Sequence, residues 1–274
     1  MSPPHLREVE RDVLRRIAGA PGVFCLLDYD GTLAWLAPTP ADAVPLPGVV
    51  ALLSELTELA GVQVALVSGR PVSDLRRALD VPGVYYIGIH GLEIRLPDGR
   101  CEAREDLAAI RSALADLKRE LSATAGTRPG ILLEDKGVAL ACHYRLASAA
   151  DKAAAQAAVA ELVTSYRQRG VPIAILRGHE VSEMCPAHVN KGTAVKAVLA
   201  QHGCGALPMY IGDDRTDEEV FRLLPPDAIT IRVGPASEPT LARYRLDSPE
   251  DVRQFLRAVR ECRVRTSVGH PRAC

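Results

Sequence analysis

The sequence predicts an α/β fold: a parallel-sheet core with a second, smaller α+β domain inserted into it. Three observations carry this. Short β-like runs alternate with helix-like segments from Val23, the alternation resumes near the end of the chain, and a stretch of different order lies between. Before the first run, Arg7, Glu8, Glu10, Arg11, Asp12, Arg15 and Arg16 give the charge density of a helix, not of a secretory leader. Val23 to Asp28 then reads as a strand, Leu46 to Ala60 as an amphipathic helix, Val62 to Ser68 as a second strand, Pro71 to Leu79 as a helix and Tyr85 to Ile89 as a third strand. The pattern returns with a helix over Thr193 to His202, a strand over Met209 to Asp213, a helix over Asp217 to Leu224, a strand over Ala228 to Val233 and a helix over Pro249 to Cys262. The tail from Arg263 to Cys274, with Gly269 and Pro271, is expected to fray.

The middle begins with a helix over Arg104 to Ala123. Two β-like runs, Ile131 to Glu134 and Val138 to Tyr144, flank Asp135-Lys136-Gly137, whose turn residues predict a hairpin. An Ala-rich segment from Ala149 to Arg169 follows; alanine is the best helix former, and Val159 and Leu162 supply an apolar face. A strand over Ile173 to Leu176 closes the insert. The expected division is residues 1–97 and 187–274 for the core and 98–186 for the insert.

Composition excludes several function classes. With 33 basic and 34 acidic residues among 274, and 4% aromatics, no sustained basic face or base-stacking set is expected, so nucleic acid is not an expected partner. Apolar runs such as Val62 to Val67 are far shorter than the roughly 18 to 20 residues that span a bilayer. Seven scattered cysteines without a C-x-x-C pair suggest neither a disulfide framework nor a zinc knuckle, and fit a reducing cytoplasm. The dinucleotide and P-loop glycine signatures are missing, and His179-Glu180 places Glu183 where a zinc helix motif needs its second histidine.

Chemistry concentrates at strand ends, where open α/β sheets bind ligands. Leu26-Leu-Asp28-Tyr-Asp30-Gly-Thr ends an apolar run in two carboxylates, able to bind a hard cation and to divide the roles of nucleophile and general acid/base. Ser68-Gly69-Arg70-Pro71 offers a hydroxyl and N–H groups suited to a phosphate oxygen, though the same residues make an ordinary helix cap. Asp213 and Asp214 end a third strand before Thr216 and Asp217 open a helix, supplying further carboxylates for a cation. Lys191, one of only five lysines, precedes a helix as a compact charge able to neutralise phosphate and carboxylates together. His90 ends a strand near these residues and reads as a packing or loop residue.

In this order, Asp28-Tyr-Asp30-Gly-Thr-Leu, Ser68-Gly-Arg70, Lys191 and Gly212-Asp213-Asp214-Arg-Thr-Asp217 resemble the four motifs of the haloacid dehalogenase superfamily. Together with Gly88-Ile-His90-Gly91-Leu-Glu93, Glu134-Asp135-Lys136-Gly and His143-Tyr-Arg145, they resemble its trehalose-6-phosphate phosphatase family over residues 23 to 245. The resemblance implies a Rossmann-like core, a cap inserted after the third strand, Mg²⁺, and hydrolysis of trehalose 6-phosphate. By matching position it implies Asp28 as nucleophile and Asp30 as acid and base. It implies Thr32, Ser68, Gly69 and Lys191 at the phosphate, Arg70 in substrate binding, and Glu134, Lys136 and Glu183 at the sugar. Asp28, Asp30 (through its carbonyl), Asp213, Asp214 and Asp217 would form or orient the metal shell. Where the family usually has a basic residue two positions after the last glutamate, this chain has Cys185. Further expectations are a monomer paired in function with a trehalose-6-phosphate synthase. The alternatives are a phosphatase of another sugar phosphate, or a non-catalytic sugar-phosphate-binding regulatory module.

Overall fold

The computed structural model describes residues 3–103 and 108–268. In chain order the elements are α1 (Leu6–Gly19), β1 (Val23–Asp28), α2 (Val49–Thr57), β2 (Val62–Val67), α3 (Val72–Ala78), β3 (Tyr85–Gly88), β4 (Glu93–Arg95), β5 (Cys101–Ala103), α4 (Ala108–Thr124), β6 (Leu132–Asp135), β7 (Leu140–His143), α5 (Ala149–Gln168), β8 (Ile173–Gly178), β9 (Val181–Pro186), α6 (Lys191–His202), β10 (Leu207–Gly212), α7 (Glu218–Leu223), β11 (Ile229–Val233), β12 (Tyr244–Leu246) and α8 (Pro249–Val268). They divide into two compact units, residues 1–102 with 191–274 and residues 103–190.

The first unit is built on a sheet in the order β12-β11-β10-β1-β2-β3-β4-β5. Strands β12 through β3 run parallel, and β4 turns back antiparallel on β3. All six residues of β1 are buried, as a central parallel strand covered on both faces requires. Val23, Cys25 and Leu27 point into one core with Val13 and Ile17 of α1, Leu53 and Leu56 of α2, and Val252 and Leu256 of α8. Phe24 and Leu26 point into the other, with Val195 and Val198 of α6 and Val220 of α7. Because β10 and β2 flank β1, the loops after all three strands emerge side by side at one edge of the sheet.

The second unit is an antiparallel sheet, β6-β7-β9-β8, whose one face packs under α4 and α5. The α5 helix starts where Ser148 Oγ accepts the Asp151 N–H, and buries Ala155, Val159, Val163 and Tyr166 along one stripe. Strand β9 was not expected from the sequence: His179 and Glu180 form the turn of a β8–β9 hairpin, with Glu180 at φ 61°, and Glu183 sits in a strand. Strands β4, β5 and β12 are also additions to the sequence reading. Residues 104–107, where α4 was expected to begin, lie outside the described residues.

The frayed tail is corrected in part. Helix α8 continues to Val268, and Arg263, only 5% exposed, donates from Nη1 to the carbonyls of Ile17 (3.3 Å) and Ala20 (2.9 Å) and from Nη2 to that of Ala60 (3.2 Å). The guanidinium thus satisfies the ends of two other helical segments, which sequence periodicity does not reveal. The remainder of that tail, 269–274, is outside the described residues. No described helix is long and apolar enough to cross a membrane.

Removing this guanidinium strands three carbonyls. Arg263→Ala is expected to lower unfolding free energy by about 2–4 kcal/mol, measured by urea denaturation; a loss below about 0.5 kcal/mol, typical of surface changes, would show that these carbonyls find other partners.

Candidate active site

The ends of β10, β1 and β2 bring most of the sequence-selected residues together. Asp28 is the last residue of β1, and Lys191 is the first of α6; they are 4% and 3% exposed. Lys191 Nζ donates to Asp28 Oδ1 at 2.6 Å and to Asp217 Oδ1 at 2.8 Å. Two carboxylates outweigh the opposing dipole of α6, so a lysine stands where a helix start ordinarily disfavours one. Burial alone would lower the lysine's pKa, but Asp217 and Asp28 hold it well above its ordinary value. Burial pushes the Asp28 carboxyl up to about 7; Lys191 opposes this, and Asp217 adds to it. Burial, then the charges of Asp28, Asp217 and Asp214, raise Asp213 well above the carboxylate range.

The loop after β1 is a tight backbone knot. The Tyr29 carbonyl accepts from Leu33 (2.9 Å) and Ala34 (3.1 Å), and the Gly31 N–H donates to the Ala34 carbonyl at 2.9 Å. Gly31 has φ 79°, and a Cβ there would lie 2.0 Å from Asp213 Oδ2, so both conformation and space demand glycine. The Thr32 hydroxyl is buried without a hydrogen-bond partner among the described residues. Asp30 is gripped by Arg70, Nε at 2.7 Å and Nη2 at 2.6 Å, while the guanidinium lies 4.9 Å from the Tyr29 ring centre. Arg70, which the resemblance assigns to substrate binding, has its side chain on the second carboxylate of the motif.

Ser68 follows β2, and its Oγ accepts the Arg70 N–H at 3.1 Å. Next to it, a Cβ at Gly69 would meet His90 Nε2 at 2.7 Å, so the buried imidazole rests against this loop. Ile89 and His90 have φ of 44° and 54°, an uncommon conformation for non-glycine residues and especially for a β-branched one. Two hydrogen bonds hold it, Ile89 N–H to the Arg70 carbonyl (2.9 Å) and His90 N–H to the Ser68 carbonyl (3.1 Å). Strain maintained at a candidate site gives His90 a place in shaping the loop.

Carboxylate oxygens of Asp28, Asp213 and Asp217 lie within 4.8 Å of one another. Asp213 Oδ1 is buried without a hydrogen-bond partner among the described residues. An all-oxygen, strongly anionic set with an orphaned carboxylate oxygen fits a hard divalent cation. Asp214 is differently employed: its carboxylate and that of Asp217 cap each other's backbone N–H groups.

The second unit holds its own polar group on one sheet. Lys136 Nζ pairs with Glu183 Oε2 at 2.6 Å, both side chains 6% exposed, and Glu134 Oε2 is 2.8 Å from His143 Nε2. Burial would raise the Glu134 pKa, but the His143 hydrogen bond and the Lys136 charge bring it below its ordinary value. The register aligns Glu134, Ala141 and Glu183 across β6, β7 and β9, so the two glutamates share a face.

A family model for trehalose-phosphatase matches residues 26–250. The chain belongs to the trehalose-phosphatase family. The trehalose-phosphate phosphatase of Mycobacterium avium (strain 104) is 36% identical over 248 residues, covering 86% of this chain and 61% of that relative. The chain thus spans about three fifths of such relatives. Among solved structures, the C-terminal domain of Candida albicans trehalose-6-phosphate phosphatase matches with a TM-score of 0.83 at 23% identity, over 95% of this chain and 98% of that one. The C-terminal domain of the Candida albicans trehalose synthase regulatory protein matches with a TM-score of 0.74 at 14% identity, over 90% and 97%. The family rests on the first two likenesses, and the solved structures show the fold.

Sequence reasoning passed over Tyr210 and set aside His90, because a tyrosine within a buried strand and a lone histidine at a strand end carry no spacing signal. His143 is marked in the sequence only as part of the segment His143-Tyr-Arg145. Tyr210 OH donates to Asp217 Oδ1 at 2.6 Å, a contact between residues on successive elements that only folding defines.

Asp28 sets a sign for pH dependence. Its carboxyl ionises near 3.9 in an unfolded chain, and burial in the fold pushes it up to about 7. Ionisation therefore opposes folding, a penalty that grows from about pH 4 to pH 7. Chelated protein is expected to be less stable to urea at pH 8 than at pH 5.5, and Asp28→Asn is expected to shrink the difference. An unchanged pH difference in Asp28→Asn would assign it to other groups.

Proposed function

We propose that this chain hydrolyses trehalose 6-phosphate to trehalose and phosphate, with Mg²⁺ and through an aspartyl-phosphate intermediate. The observation that carries this reading is the buried contact of Asp28 with Lys191, beside Asp213, in a member of the trehalose-phosphatase family. Asp28 attacks phosphorus, and the bond to the sugar oxygen breaks as Asp30 gives that oxygen a proton. Asp30 then takes a proton from water, whose oxygen displaces Asp28 from the phosphoryl group and releases phosphate. Before it can donate, Asp30 must leave the Arg70 fork, which occupies both of its oxygens.

Lys191 offsets charge on the phosphoryl oxygens, and Thr32, Ser68 and the Gly69 N–H give them hydrogen bonds. Asp28 and Asp213, with Asp214 and Asp217 orienting the group, would hold Mg²⁺, which when bound neutralises the carboxylates and phosphate together. Glu134, Lys136 and Glu183 read the sugar hydroxyls, and His143 orients Glu134. The proposed setting is the cytoplasm, following a trehalose-6-phosphate synthase. A regulatory role accounts for the fold alone, as the Candida regulatory protein's likeness illustrates; retention of Asp28, Asp30, Lys191 and Asp213 favours catalysis.

Phosphate release from trehalose 6-phosphate, from other sugar phosphates and from a small aryl phosphate, with and without Mg²⁺, tests the reading. Full activity after exhaustive chelation would sink the metal role, and preference for another sugar would replace the substrate. Asp28→Asn is expected to fold and lose several orders of magnitude in kcat. Near-normal turnover by that variant rejects Asp28 as nucleophile.

Independently of turnover, Mg²⁺ is expected to raise the melting temperature of the wild type, more at pH 8 than at pH 5.5 because protons compete for the carboxylates. Asp213→Asn should abolish the shift; a retained shift would move the cation elsewhere. The sugar assignment predicts that Lys136→Ala and Glu183→Ala lose roughly tenfold to a hundredfold in kcat/KM on trehalose 6-phosphate and stay within a few-fold on the aryl phosphate. Equal losses on both would give the second unit a role other than sugar recognition.

A further inference from the structure

Tyr210 lies in β10 between Met209 and Ile211, which face the core of α1, α2 and α8, so its own side chain turns to the opposite face beneath α6 and α7. The ring is fully buried and packs edge-on against Phe221 with centroids 5.8 Å apart. A buried phenol needs a hydrogen-bond partner, and this one has a carboxylate, Asp217 Oδ1, at 2.6 Å.

Asp217 is itself fully buried and accepts from three directions. Oδ1 takes both Tyr210 OH and Lys191 Nζ, and Oδ2 takes the Asp214 N–H at 2.9 Å. A Cβ at Gly212 would stand 2.4 Å from Asp217 Cγ, so the carboxylate is packed directly on the strand backbone. A carboxylate engaged by an ammonium, a phenol and an amide has little left to offer a cation, whereas Asp213 Oδ1 is buried without a hydrogen-bond partner among the described residues.

We infer that Tyr210 is a positioning residue acting through Asp217: its hydroxyl fixes the carboxylate that holds Lys191 toward Asp28, and Asp217 braces the lysine instead of ligating the cation. The inference deepens the proposed function, on which the role of Lys191 at the phosphate rests. A lysine carries its charge on a flexible four-carbon stem. Asp28 alone is a poor anchor for it, because the carboxylate surrenders its charge when an oxygen of Asp28 bonds to phosphorus. Asp217 is not consumed and keeps Lys191 in place through both transfers. The phenol shares Oδ1, so the carboxylate cannot turn wholly to the lysine and draw it off the phosphate.

Tyr210→Phe in the full chain is the test, since it keeps the ring and its packing on Phe221. The brace predicts a fall of about tenfold to a hundredfold in kcat, equal on trehalose 6-phosphate and the aryl phosphate because the two share the phosphoryl group. It also predicts weaker binding of inorganic phosphate, with the Mg²⁺-induced rise in melting temperature retained. A lower melting temperature with kcat and phosphate affinity within twofold of wild type would reduce Tyr210 to a packing residue and overturn the inference. Asp217→Asn should likewise lose turnover and phosphate affinity while keeping the Mg²⁺ shift, and it carries the test if the phenylalanine variant does not fold. Loss of that shift to the extent seen in Asp213→Asn would make Asp217 a cation ligand and refute the brace. If the wild type hydrolyses none of the esters, the proposed function fails separately, and phosphate binding by Tyr210→Phe still decides the brace.

Discussion

A lysine ammonium buried between two carboxylates is the interaction on which the first unit is organised. Lys191 stands at 3% exposure at a helix start, and Asp217 and Asp28, both within 2.8 Å, hold its charge there. Such a cluster costs folding energy, because desolvating three charges offsets much of what their attraction returns. The raised pKa of Asp28 is the visible sign of that cost. Three carboxylates against one ammonium leave the site short of positive charge, which suits a divalent cation.

The sheet makes the cluster possible. Asp28 ends β1, Asp213 directly follows the neighbouring parallel strand β10, and Lys191 opens α6, so three distant parts of the chain meet. Gly31 and Gly212 then let side chains press onto backbone where a Cβ would collide. The apolar cores on both sides of β1 hold this arrangement rigid, and rigidity keeps donors aimed where charge develops. The Ile89–His90 strain belongs to the same design, since the hydrogen bonds that maintain it end on Ser68 and Arg70.

The second unit works on another principle. Its helices cover one sheet face, and Lys136, Glu183, Glu134 and His143 engage one another in charge-assisted pairs. Side chains paired in this way are pre-oriented donors and acceptors, suited to neutral hydroxyls more than to a free anion. The division of labour we propose, phosphate at the first unit and sugar hydroxyls at the second, rests on these two charge patterns.

Much of this was legible in the sequence because it is local. Short, mostly apolar runs alternating with helical segments read as buried parallel strands, and Asp28, Ser68 and Asp213 each stand at the end of one. The alternation of elements disclosed the α/β class, and the break in it disclosed the insert. What the sequence could not disclose depends on distance in the fold. The hairpin that places Glu183 on β9 is read only from its pairing with β7 and β8, and the last turns of α8 exist because Arg263 reaches carbonyls more than 200 residues away. Arg70 on Asp30, and Tyr210 on Asp217 beneath Lys191, are partnerships among residues whose types were evident but whose choice of partner was not. Residue identity determined which charges and donors the protein possesses; only tertiary packing decided which of them are desolvated together, and desolvation sets their strength.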